Sequence, residues 1–92
     1  ILRQNFLNAG FIHYVSEFWN TNNQQIIIQY RAYIDHNRNY ISRDILVMWL
    51  IQLVYMYIEC RDFANANQTL DECKSIQGSK SSYLHIHDRF TI

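Results

Sequence analysis

Proline is absent from this chain, and glycine occurs only at positions 10 and 78. With no proline, nothing removes a backbone donor or forces a kink inside a helix, so helices are expected to run uninterrupted. Two isolated glycines exclude a Gly-rich phosphate loop, whose backbone must approach the ligand closely. Cysteine occurs twice, at Cys60 and Cys73, which makes no disulfide framework. Charge is also scarce: Asp, Glu, Lys and Arg make up 17% of the residues, against roughly 25% in typical soluble domains. The eight basic and eight acidic side chains cancel and are interspersed. Nucleic acid is therefore not an expected partner, because its binders carry a basic stripe. The opening Ile-Leu-Arg-Gln-Asn-Phe lacks the long apolar core of a secretory leader. The expectation is a reduced intracellular compartment, cytoplasmic or nuclear.

In place of charge the chain carries neutral amides, with nine Asn and seven Gln. Neutral polar surface costs less to desolvate than charge, which suits a subunit covered by other chains. Drift in an A/T-rich genome would give the same bias. The 92 residues are read as one helical domain, a fragment of a longer chain being the open alternative. A chain of this size buries only about 60–65% of the surface its unfolded form exposes.

One run dominates the pattern. Residues 45–58, Ile-Leu-Val-Met-Trp-Leu-Ile-Gln-Leu-Val-Tyr-Met-Tyr-Ile, contain a single polar side chain, Gln52. A helix apolar on every side must be surrounded by protein or by lipid. Crossing a bilayer takes about 20 apolar residues, and charged residues bound this run on both sides, so no membrane span is expected. A central helix in so short a chain is expected to leave a face for a partner.

Four main helices and a weaker fifth follow from the apolar spacing. The first runs from about Leu2 to Trp19, with Leu2, Phe6, Leu7, Phe11, Tyr14, Val15 and Phe18 at three- and four-residue steps. Gly10 weakens it or lets a neighbouring helix come close. Thr21 with Gln24 fits a capping box, predicting a second helix from near Asn22 to about His36, buried through Ile26, Ile27, Tyr30, Tyr33 and Ile34. After a polar connector, Ser42 caps the third helix, with Asp44 in its first turn. Asp62 caps the fourth, Phe63 to Gln77, whose apolar face is Phe63, Ala66, Leu70, Cys73 and Ile76. Gly78 is its expected stop. The segment from Tyr83 to Phe90 is read as a short helix or tail, with a strand as alternative.

The third and fourth helices are separated by two or three residues, so they must be antiparallel neighbours. Asp62-Phe63 resembles the Gly-Asp-Tyr turn of the tetratricopeptide repeat, with Arg61 in place of the Gly. Leu50, Leu53 and Tyr57 then match the large apolar positions of that family's first helix. Ala66, Leu70 and Cys73 match the small, large and small positions of its second. Val54 departs from a position usually held by Gly or Ala, and Gly78 stands where the family has Pro. The resemblance covers residues 47–80. It implies an α-solenoid scaffold whose groove is lined by the first helix, here Met48, Ile51, Tyr55, Ile58 and Glu59. Such a largely apolar groove would suit an amphipathic helix or apolar segment. The same side chains could equally be core beneath the first and fifth helices.

Chemistry is not expected. His85-Ile86-His87-Asp88 with Cys60 and Cys73 lacks the short Cys-x₂₋₄-Cys loop of structural zinc sites. Cys60 sits beside Glu59, which disfavours a thiolate. The adjacent Asp71 and Glu72 point about 100° apart on a helix and make no acid–base pair. The aromatic side chains belong in a core or an interface rather than on a stacking platform. The expected protein is therefore all-α, with four to five helices in antiparallel hairpins, either a tetratricopeptide-like fragment or a small bundle. It is read as a non-enzymatic interaction module without cofactor or metal. Its expected partner-binding residues are Met48, Trp49, Ile51, Tyr55, Ile58 and Glu59, and its partner another protein or a second copy of itself. The alternatives are a homodimeric bundle, and a sensor with an apolar-ligand pocket between the second and third helices.

Overall fold

The computed structural model describes residues 2–77. They form four α-helices, α1 (Leu2–Thr21), α2 (Gln24–Asn37), α3 (Arg43–Glu59) and α4 (Phe63–Gln77), with a 3-10 turn at Arg38–Tyr40 before α3. The described residues contain no strand, so the all-α expectation holds. The expected stop at Gly78 and the reading of Tyr83 to Phe90, with His85 and His87, fall outside the described residues.

Helix ends follow from local chemistry. Ser42 Oγ accepts the backbone N–H of Ile45 at 3.2 Å, and Asp62 Oδ1 accepts that of Asn65 at 3.2 Å; both are the expected caps. The first connector differs from the capping-box expectation. Thr21 stays in α1, its hydroxyl donating to Glu17 O. Asn22 takes a left-handed conformation (φ 53°), which short polar Asn tolerates. Asn23 is the cap instead, its side chain accepting from Gln25 N–H at 2.9 Å. Helix α2 also runs one residue past His36, and most of the polar connector after it is the 3-10 turn.

The α3–α4 connection is a Schellman turn. Asp62 N–H bonds to Tyr57 O at 2.8 Å and Arg61 N–H to Ile58 O at 2.9 Å, satisfying two carbonyls left open at the end of α3. This geometry puts Arg61 at φ 62°, where a Cβ costs roughly 1–2 kcal/mol and glycine is favoured. Arg61→Gly is expected to raise stability by about 1 kcal/mol, seen as a higher midpoint in urea with an unchanged m-value.

The described residues extend 39 × 32 × 17 Å, and helices pack 8–10 Å apart, so the molecule is about two helix layers thick. Helix α3 lies at its centre. It pairs most extensively with α4 and meets α2 and α1 on another side. Leu46, Val47, Leu50, Leu53, Val54 and Met56 are buried. The facing helices contribute Leu7 and Phe18; Ile26, Ile27, Tyr30 and Ile34; and Ala66, Leu70 and Cys73. Phe6, expected on the α1 stripe, is instead 78% exposed.

An aromatic cluster joins α1, α2 and α3. The Trp49 indole stacks on Phe11 and on Tyr33, each with ring centroids 5.5 Å apart. Tyr14 packs at 5.2 Å from Tyr33. The buried Tyr30 hydroxyl donates to Trp49 O at 2.6 Å, and burial pushes its pKa upward. Tyr33 donates to Leu7 O at 2.8 Å and lies directly on Gly10, where an added Cβ would collide with its hydroxyl. Close helix approach therefore accounts for this glycine.

A four-residue ion network ties α2 to α4. Arg31 reaches Glu72 through two nitrogens, at 3.0 and 3.3 Å. Arg38 bridges Glu72 and Asp35, both at 2.8 Å. Burial alone would raise the Glu72 pKa, but hydrogen bonds and charge from both arginines outweigh it and hold the carboxyl below its ordinary value. A carboxylate with a depressed folded pKa stabilises above its unfolded pKa and loses that contribution as pH falls through the folded one. Glu72→Gln is therefore expected to cost about 1 kcal/mol at pH 7. The difference from wild type in urea melts should shrink steadily below about pH 4.

Candidate functional site

Buried residues on α3 sit at every angle but one. Met48, Gln52, Tyr55 and Glu59 follow at steps of four, three and four, and so share one stripe of the helix. Met48 is 47% exposed, Gln52 and Tyr55 are half-buried, and Glu59 is exposed. This stripe is the open face of an otherwise enclosed helix.

The six residues expected to bind a partner divide accordingly. Met48, Tyr55 and Glu59 lie on the stripe. Ile58 is half-buried on α3, off the stripe. Trp49 is 1% and Ile51 7% exposed, so both are core, and neither is presented to a partner in this conformation. The physical reason is angular: position 49 turns toward α1 and α2, where Phe11 and Tyr33 enclose it. Gln52 was not among the expected residues. Its signal was available, because it is the one polar residue of the apolar run and stands four residues from Met48.

A second concavity lies elsewhere on the domain. A cleft of about 610 Å³ opens between the first two turns of α2 and the α3–α4 turn. Gln24, Ile27, Ile28 and Arg31 line one wall, again at helical spacing. Tyr57, Cys60, Arg61, Asp62 and Asn65 complete it. The pocket expected between the second and third helices is thus displaced toward the chain reversal and includes α4.

The cleft is chemically quiet. Burial pushes the Cys60 thiol up, helped by the charges of Glu59 and Asp62, so it is held protonated. Burial likewise raises the Tyr57 phenol, against the pull of Arg31. Both cysteines are free thiols, and burial takes Cys73 up to about 12. Among the described residues no group of His, Cys, Asp and Glu side chains could hold a metal ion. Among them, too, no helix is long and apolar enough to cross a membrane. Compared with family models, with curated proteins and with solved structures, the chain matches none.

Proposed function

We propose that this domain is a non-catalytic protein–protein interaction module of an intracellular complex. It would act by covering the open face of α3 with an amphipathic helix or apolar segment of another chain. The observation that carries the reading is the stripe itself, with Met48 47% exposed at its head. Methionine is flexible and polarizable, which lets it adapt to a partner surface. Gln52 supplies a neutral polar group that can fix register at less desolvation cost than a charge, while exposed Glu59 at the end of the stripe can keep its charge in water. The resemblance of residues 47–80 to a tetratricopeptide helix pair supports a scaffold role. In that family the first helix lines the binding groove, and Met48, Tyr55 and Glu59, three of the five groove positions that the resemblance implies, lie on this stripe.

Homodimerisation is the second reading, favoured by the same exposed stripe, since two copies related by a two-fold axis could cover one another. Two measurements separate the readings. Light scattering behind size exclusion reports the mass of the wild type and of Met48→Asp. Photo-crosslinking from a benzoylphenylalanine at position 48, with position 64 on exposed α4 surface as control, reports contact with another chain. A monomer that crosslinks one polypeptide from position 48 only supports the hetero-partner reading. A dimer dissociated by Met48→Asp transfers the role to self-association. A monomer with no position-dependent crosslink overturns both.

A further inference from the structure

The cleft beside α2 is remote in chemistry from the α3 stripe, and its charges do not balance. Arg31 is spent on Glu72 and Asp35. Asp62 is spent on the start of α4, accepting the backbone N–H of Asn65 through one oxygen and its side-chain amide at 2.7 Å through the other. Gln24 and Asn65 are neutral, and the Cys60 thiol is held protonated. Arg61 alone is left over: it is exposed, and among the described residues its guanidinium has no ion pair or hydrogen bond. It also occupies the left-handed position where glycine would be more stable. A residue in a strained backbone conformation, whose side chain has no polar partner among the described residues and which lines a cavity, directs attention to binding.

We propose that this cleft binds a small amphiphile with an apolar body and a carboxylate head, the body lying on Ile27, Ile28 and Tyr57 and the head meeting Arg61. The volume of about 610 Å³ falls within the range of small-ligand pockets, roughly 300–1,000 Å³. The α2 wall, from Gln24 to Arg31, is about 10 Å long at 1.5 Å per residue. It ends at the bridge from Arg31 to Glu72, so it is too short to seat a partner helix of several turns. Ile28, which lines the cleft, is 63% exposed and would bury apolar surface under an occupant. One guanidinium presents a planar fork that matches a single carboxylate, whereas a phosphate dianion would call for a second free cation.

The test is an amide chemical-shift titration of the intact chain with decanoate, decanol and decyltrimethylammonium, each below its micelle concentration. Decanoate should shift the amides of Gln24, Ile28, Cys60 and Asn65 saturably, decanol more weakly, and the cation least. Arg61→Gly preserves the turn and should weaken decanoate about tenfold, to the level of decanol, as expected for loss of one charge-assisted hydrogen bond. Ile28→Ser, at an exposed site, should weaken decanoate and decanol alike. Equal binding of all three probes, or unchanged decanoate affinity in Arg61→Gly, would overturn the carboxylate assignment. Absence of any saturable shift at these amides would overturn the site.

Discussion

Trp49→Ala is expected to destabilise the domain by about 3–5 kcal/mol, the usual cost of emptying a buried aromatic site. A domain of this length has a total stability of roughly 5–14 kcal/mol, so the variant stands at the edge of folding. At about 4–8 °C per kcal/mol for a small domain, its thermal midpoint should fall on the order of 15–30 °C in a circular dichroism melt. The cause is the number of contacts removed together. Phe11 and Tyr33 each lose a stacked ring at 5.5 Å, while the Tyr30 hydroxyl keeps its bond to the backbone oxygen of residue 49. Trp49→Phe retains one ring and should cost less than half as much. A midpoint within a few degrees of wild type for Trp49→Ala would mean the indole is not in the core, and would restore it as a surface anchor.

The second large effect is a contrast between neighbours three positions apart. Ile51→Asp places a carboxylate where the side chain is 7% exposed. An uncompensated buried charge costs about 3–5 kcal/mol, so the variant's denaturant midpoint should fall sharply. Met48→Asp puts the same charge on the open stripe, at a side chain 47% exposed. Surface substitutions of this kind stay within about 0.5 kcal/mol, so the fold should survive while association through α3 is lost. Far-ultraviolet circular dichroism and denaturant midpoints on the pair are sufficient. Equal damage from both would mean that α3 is enclosed on all sides. Equal tolerance would mean that Ile51 belongs to the surface.

The four helices of the described residues were legible in the chain because each signal was local. Apolar residues at three- and four-residue steps, Ser42 and Asp62 before apolar runs, and an unbroken stretch free of proline and glycine each act within a turn or two. The first chain reversal slipped because two local signals competed there. Thr21 and Asn23 both offer a capping oxygen, and left-handed Asn22 settled the matter in favour of Asn23. The site was legible in part. Apolarity marked α3 as central, but a helix apolar at every angle carries no internal sign of which angle remains open.

By composition and spacing alone, this chain was committed to an all-α fold around one apolar helix, with the Ser42 and Asp62 caps in place. Packing decided the rest. Aromatic side chains from α1 and α2 closed over Trp49, Glu72 gathered Arg31 from α2 and Arg38 from the 3-10 turn, and the α3–α4 turn opened a cleft beside Arg61. Which face of α3 is covered depends on where three other helices lie, and that is set by contacts between residues far apart in the chain. Periodicity along one segment records only its own faces, so this choice belongs to the tertiary structure.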